Sequence, residues 1–417
     1  MLCVAFGPAT ADLKVAAKTS NNPLNIQFRQ PNAISVPSTP NRNIPVLMNA
    51  SQDSILPPSP AESSLLYSLP EPSRLLLHRQ QQISSIERGL YRMRAQRLQE
   101  THQALYIPPM AKANLQARDE DLFALMSKVE EFLASDRQVI LILGDSGAGK
   151  STFNKHLESK LLESYSSGGR IPLFINLPTI RRPEEDMIAK QLRASNFSEE
   201  QIQELKQYRQ FILICDGYDE SQLTVNLHTS NSFNRPGQWN VKLVISCRTQ
   251  YIGQDYRDRF VPQEVGHYSR PASDLFQEAV IAPFSKEQIE DYIERYVPLE
   301  PRIWTTHDYM SRLVSIPNLI DLAKNPFLLS LALEALPGVT EGKQDLSSIR
   351  ITRVQLYDTF VDHWLDVNKR RLQRNTLCKE DRMVLDQLLE AGFASMGIDY
   401  STRLASAIFH KQDGNPV

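Results

Sequence analysis

Cysteine is scarce here: four of 417 residues (Cys3, Cys215, Cys247 and Cys378), with no C-x-x-C pair. Neither a zinc site nor a disulfide framework is indicated. Cys215 and Cys247 end apolar runs, where a reduced cysteine serves as a small core residue. Long apolar runs are also missing. No stretch reaches about 18 residues, so no membrane span is expected. The opening "MLCVAFGPATADLK" has no basic residue before its short apolar stretch. No signal peptide is expected there, and a reducing cytoplasmic location is. A large charge of either sign is absent as well. The formal net charge of -2 gives no global pull toward nucleic acid or membrane. What is present is ordinary for a soluble globular protein, and the length allows two to three domains.

Composition divides the chain. Residues 1–68 are rich in Pro, Ser and Asn and are expected to be disordered. Residues 69–106 read as a basic amphipathic helix and linker. Ile83, Ile86, Leu90 and Met93 recur at helical spacing, and among Arg74, Arg79, Arg88, Arg92, Arg94 and Arg97 lies one acid, Glu87. This pattern gives a solvated basic face on a packed or partner-seeking helix, and an unidentified protein partner is expected through this N-terminal region. A membrane-surface contact is the sharper alternative.

Residues 107–283 alternate short apolar strands with helices. The strands are "QVILIL" (138–143), "IPLFINL" (171–177), "FILIC" (211–215), "VKLVIS" (241–246) and "EAVIAP" (278–283). That pattern means a parallel α/β sheet. Capping boxes open helices at Ser198–Gln201 and Ser285–Gln288. From residue 284 to 417 the pattern is helical throughout, without a fixed-period repeat.

The strand at 138–143 runs into Gly144-Asp145-Ser146-Gly147-Ala148-Gly149-Lys150-Ser151-Thr152, which fits G-x-x-x-x-G-K-[ST]. Each residue type has a reason. Glycines let several backbone N–H groups converge on phosphate oxygens. The helix that follows aims its positive N-terminal end at the anion. Lys150 adds a full charge near the β/γ-phosphates, and the Ser151 hydroxyl is a hard oxygen ligand suited to Mg²⁺. "FILICDGYDE" supplies the carboxylates. Asp216 is expected at the same sheet edge as the loop, as the second metal ligand. Asp219 and Glu220 follow in position to orient or deprotonate an attacking water. Arg248, after "VISC", is expected to reach the γ-phosphate, with Thr249 a weaker polar candidate.

These residues resemble the NACHT group of STAND-type P-loop NTPases over roughly residues 107–340. The resemblance rests on "GDSGAGKST", "ICDGYDE", "VISCR" and "NPFLL" (325–329), and "RIPLFINLP" is similar to fungal NACHT proteins. It implies a P-loop NTPase fold, a five-stranded parallel sheet flanked by helices and followed by an all-helical lid domain at 284–417. It implies ATP/ADP with Mg²⁺, and a switch that self-associates in its ATP state. It places Pro326 near the adenine, and it makes His363 the nearest match to a winged-helix histidine that contacts the β-phosphate. The repeat arrays usual in the family are not visible here, as in a truncated member.

A nucleotide-operated signalling switch with slow hydrolysis is therefore the leading expectation. A scaffold that holds its nucleotide without turning it over is the alternative. "GKQD" (342–345) and "CKED" (378–381) lack the Asn or Thr of a guanine-reading motif and follow no strand. A nucleic-acid motor would need a basic, aromatic-interleaved patch that the core lacks.

Overall fold

The computed structural model describes residues 71–100, 105–221, 223–253, 256–263, 270–299, 304–340, 346–347, 349–374 and 379–411. The segment read as disordered (1–68), the "GKQD" stretch and Cys378 lie outside them. The chain divides into two units, one of which runs from Gln80 to Phe360.

That unit is built on a mixed sheet. Its strands are β1 (Met110–Lys112), β2 (Phe123–Ala124), β3 (Val139–Gly144), β4 (Ile171–Asn176), β5 (Gln210–Asp216), β6 (Asn240–Arg248) and β7 (Phe276–Ile281). They lie in the order β2-β1-β7-β3-β6-β5-β4. The five strands from β7 to β4 are parallel, as the alternation of strand and helix requires. The two short antiparallel strands β1 and β2 extend the β7 edge. They were not legible: "YIPPMAKANL", which holds β1, reads as a linker, and "DEDLFALMSKVEEFLAS" reads as a helix throughout, although Phe123–Ala124 form β2 and the helix starts at Leu125.

β3 is buried along its whole length and sorts its side chains by the period of two. Val139, Leu141 and Leu143 enter one apolar cluster, and Ile140 and Ile142 the other. Over the second face lie α2 (Leu125–Ala134) and α3 (Lys150–Glu163), through Val129, Phe132, Phe153 and Leu157. Over the first lie α4 (Met187–Ala194) and α5 (Glu199–Tyr208), through Ile188, Leu192, Ile202 and Leu205. The Ser198 capping box opens α5 as its sequence requires.

The first face also takes in the part of α1 (Glu71–Glu100) that follows Arg79. Ile86 and Leu90 are buried in the same cluster as β3 and β6. The basic face of α1 is only partly solvated. The Arg97 guanidinium makes a two-pronged bond to Glu158 on α3, with Nε–Oε1 at 3.1 Å and Nη2–Oε2 at 2.6 Å. Glu87 pairs with Arg209 at 2.5 Å. Arg88 and Arg92 stay exposed. The spacing of apolar residues in α1 was legible, but not which surface they cover. Ile86→Ala should therefore destabilise the α/β unit by about 2–5 kcal/mol. The check is urea unfolding followed by far-UV circular dichroism, and a midpoint equal to wild type would mean that α1 is dispensable to the core.

The small helix α6 (Leu227–Ser230) precedes β6 and adds Leu227 to the first-face cluster. Beyond β7 the same unit continues as helices: α7 (Lys286–Tyr296), α8 (Thr306–Ser315), α9 (Leu319–Ala323), α10 (Pro326–Thr340) and the start of α11 (Arg353–Arg374). These helices build an apolar cluster of their own around Ile293, Leu313, Leu329 and Leu333. α7 begins at the expected Ser285 capping box. In the second unit, the rest of α11, α12 (Lys379–Glu390) and α13 (Phe393–Lys411) are helical. His363 falls on α11, with its side chain outside the described ones. Among the described residues no helix is long and apolar enough to cross a membrane.

Candidate nucleotide and metal site

Parallel pairing brings the candidate residues to one edge. Gly144, the last residue of β3, is in register with Arg248, the last residue of β6. Asp216 ends β5 in register with Asn176 of β4. β6 lies between β3 and β5, so Asp216 is one strand removed from the phosphate loop rather than on its immediate neighbour.

The loop has the conformation its glycines permit. Gly147 and Gly149 have φ of 79° and 90°, in the left-handed region where a side chain is strained. Gly149 opens α3 without a side-chain cap, and the first turn, Lys150-Ser151-Thr152, contains no acid. The positive end of α3 is therefore not neutralised by a protein carboxylate in that turn. The Ala148 N–H donates to the Asp145 carbonyl at 3.1 Å, and the Gln250 side chain donates to Asp145 Oδ1 at 2.8 Å. Lys150 Nζ donates to the Gly144 and Asp145 carbonyls at 2.8 and 3.0 Å. Burial pushes the Lys150 pKa down; the Asp219 carboxylate acts against this and Arg248 with it. A phosphate group would replace the solvation that the ammonium has lost.

Asp216 is 8% exposed. Its Oδ1 accepts from Asn154 Nδ2 at 2.7 Å and from the Ser246 hydroxyl at 2.6 Å. Gly217 follows with φ of 78°, which turns the chain sharply after the strand and explains the glycine in D-G-x-D-E. Asp219 is held through both oxygens. Oδ1 accepts from the Arg248 backbone N–H at 3.0 Å, and Oδ2 pairs with Arg248 Nε at 2.9 Å. Glu220 Oε1 meets Arg248 Nη2 at 3.0 Å, and this side chain is 31% exposed. Sequence reasoning directs Arg248 to a phosphate; here its guanidinium clamps the two acids that follow β5.

The helical part of the unit touches the loop directly. Asn325 precedes Pro326, the first residue of α10, and caps that helix by accepting from the Phe327 and Leu328 N–H groups at 3.1 Å each. The same amide donates to the Ser146 carbonyl at 2.8 Å, and the Phe327 N–H donates to the Gly147 carbonyl at 3.3 Å. A Cβ on Gly147 would stand 2.7 Å from Asn325 Oδ1. Gly147 is thus required by this contact as well as by its φ.

Asn154, Ser246, Gln250 and Asn325 are the residues that sequence reasoning missed. A signal existed for two of them. Asn154 lies one helical turn past Ser151, beside the apolar Phe153 and Leu157, and Asn325 carries the helix-cap signature ahead of Pro326.

The donor set fits Mg²⁺. It combines a hydroxyl (Ser151) and a carboxylate (Asp216), both hard oxygens, and Mg²⁺ is commonly held by one or two protein oxygens with phosphate and water completing the shell. Among the described residues no group of three or more His, Cys, Asp or Glu could form a separate metal cluster.

A phosphate loop between the first core strand and its helix, with an aspartate at the same edge of a parallel sheet, defines a nucleotide-binding P-loop NTPase. Residues 138–300 match the model of the NACHT domain. An uncharacterised WD repeat-containing protein of Nostoc sp. is 25% identical over 244 residues, covering 53% of this chain and 15% of that protein. The chain thus spans far less than two thirds of that relative's length. Two solved structures are similar at 14% identity. The RuvB Holliday junction branch migration motor of Thermotoga maritima aligns over 64% of this chain and 73% of its own, with a TM-score of 0.30. A Walker-type ATPase of Pyrococcus abyssi aligns over 69% and 80%, with a TM-score of 0.31.

Proposed function

We propose that the chain is an adenine-nucleotide-operated switch that hydrolyses ATP slowly and acts in intracellular signalling, in the manner of a STAND-type protein. One observation carries this reading: the contact of Asn325 and Phe327 with the carbonyls of Ser146 and Gly147. Any rearrangement of the loop around a phosphate is felt at the N-terminus of α10, so nucleotide state and the placement of the helical segment are linked.

In this reading the loop from Gly144 to Thr152 cradles the phosphates, and Lys150 contributes the charge on their β/γ side. Ser151 and Asp216 would hold Mg²⁺, which supplies charge neutralisation between the phosphates. Glu220 takes the proton of an attacking water. Asp219, with both oxygens engaged by Arg248, is better suited to anchor the arginine than to act as base. Arg248 in turn exchanges carboxylate for γ-phosphate when the triphosphate is present. Pro326 lies beside the base. A cytoplasmic location and self-association in the ATP state belong to the same proposal.

The test is the nucleotide that copurifies, together with its effect on size. Denaturing the protein and chromatographing the supernatant should yield ADP or ATP. Sedimentation velocity should then separate the ADP form from one loaded with a non-hydrolysable ATP analogue. GDP in the supernatant would overturn the adenine reading, and identical sedimentation would overturn the switch. A second reading, a scaffold that holds nucleotide without turnover, draws support from the ion pair that ties Glu220 to Arg248.

A further inference from the structure

We propose that Asn154 is a positioning residue which, with Ser246, aims the Asp216 carboxylate at the Mg²⁺ of the bound nucleotide. The inference rests on the nucleotide–magnesium reading above and assigns a role to two residues that this reading does not use.

Asn154 is fully buried, on a helix that also buries Phe153 and Leu157 and whose other buried polar residue, Glu158, is paired with Arg97. A leucine would pack there without a polar atom to satisfy. Instead an amide is present, and it is only half satisfied. Nδ2 donates to Asp216 Oδ1 at 2.7 Å, while Asn154 Oδ1 is buried without a hydrogen-bond partner. Exchanging the amide's oxygen and nitrogen would bring two acceptors together at Asp216. The contact with Asp216 therefore fixes the amide's orientation, at the expense of a stranded acceptor.

Ser246 makes the same case from β6. Its hydroxyl donates to that same Oδ1 at 2.6 Å and accepts from the Gly217 N–H at 3.3 Å. Two donors, from a helix and from a strand, thus converge on one oxygen of Asp216. Among the described residues Oδ2 takes no hydrogen bond. A carboxylate held at one oxygen by two rigid elements cannot rotate freely, and its other oxygen remains for a ligand. Groups that orient a metal-binding side chain in this way affect metal affinity without touching the metal. The placement also answers the topology. β6 separates Asp216 from the loop strand, and Asn154 spans the gap from the helix that carries Ser151.

The experiment uses the full chain and a fluorescent ATP analogue, with Mg²⁺ titrated at fixed nucleotide. Asn154→Leu keeps the volume and removes the donor. Asn154→Asp keeps the shape and opposes Asp216. Ser246→Ala removes the second donor, and Ser246→Thr restores a hydroxyl. The expected result is a Mg²⁺ midpoint raised about ten- to a hundredfold in Asn154→Leu and in Asn154→Asp. Ser246→Ala should move the same way and Ser246→Thr should recover. Nucleotide affinity in EDTA should stay at the wild-type value in all four, because the phosphate loop is unchanged. A folded Asn154→Leu with the wild-type Mg²⁺ midpoint would overturn the proposal. So would an equal loss of affinity in EDTA, which would make Asn154 a support of the loop and nothing more. A wild-type protein whose nucleotide affinity ignores Mg²⁺ would overturn the metal reading, and this inference with it.

Discussion

Lys150→Ala should abolish tight nucleotide binding. The ammonium sits at the loop, bonded to the Gly144 and Asp145 carbonyls, and burial has already stripped it of much of its water. A charge-assisted hydrogen bond to phosphate contributes about 1.5–3 kcal/mol, so its loss weakens binding about ten- to a hundredfold or more. Folding should survive. The two carbonyls that lose a donor lie in a loop at the sheet edge, and water can replace the ammonium. A fluorescent-nucleotide titration run beside a thermal melt separates the two effects. Wild-type affinity in the variant would sink the assignment of the loop.

Glu220→Gln should separate binding from turnover. The change keeps size and removes the base, while the loop and Asp216 are untouched. Affinity for ATP should therefore persist, and hydrolysis should fall about 10²–10⁴-fold if Glu220 activates the water. The ion pair with Arg248 is also lost, but it is partly exposed and Asp219 still holds the arginine through two contacts. The variant should accumulate in its ATP state and elute as larger assemblies from a sizing column. A wild type without ATPase activity above background would favour the scaffold. Undiminished hydrolysis in the variant would place the base elsewhere, and Asp219 would then have to release Arg248 in order to act.

Much of this site was legible before any coordinates. The phosphate loop is local: its glycines, lysine and serine are adjacent in sequence, and their spacing carries the geometry. The five core strands were legible for a similar reason, because a run such as Val139–Leu143 is buried on both faces and shows no polar interruption. What was hidden depends on long-range pairing. That Asn154 meets Asp216 requires knowing that β6 lies between β3 and β5. That Arg248 meets Asp219 and Glu220 follows from the turn at Gly217, which brings the acids back against the end of β6. One helix start was less legible than those at the Ser198 and Ser285 capping boxes. "PEEDMIAKQLRAS" reads as one helix, yet α4 begins only at Met187, after Asp186 adopts a left-handed conformation with φ of 43° and caps it. The side chain of Trp239 donates to that same aspartate at 2.8 Å, a tertiary contact that local propensity does not record.

The two margins of the sheet limit how copies of this protein can meet. An open row of backbone donors and acceptors is a template on which another chain can add a strand, and natural proteins blunt such rows. Here one margin ends in β2, only two residues long. The other is β4, where Pro172 has no N–H to offer to an incoming strand. Neither margin suits a growing ribbon of strands. Under the proposed self-association, copies would therefore have to meet through side chains on their helices and loops. In the proposed switch such contacts would be reversible on a change of nucleotide, whereas a continuous ladder of backbone bonds would persist.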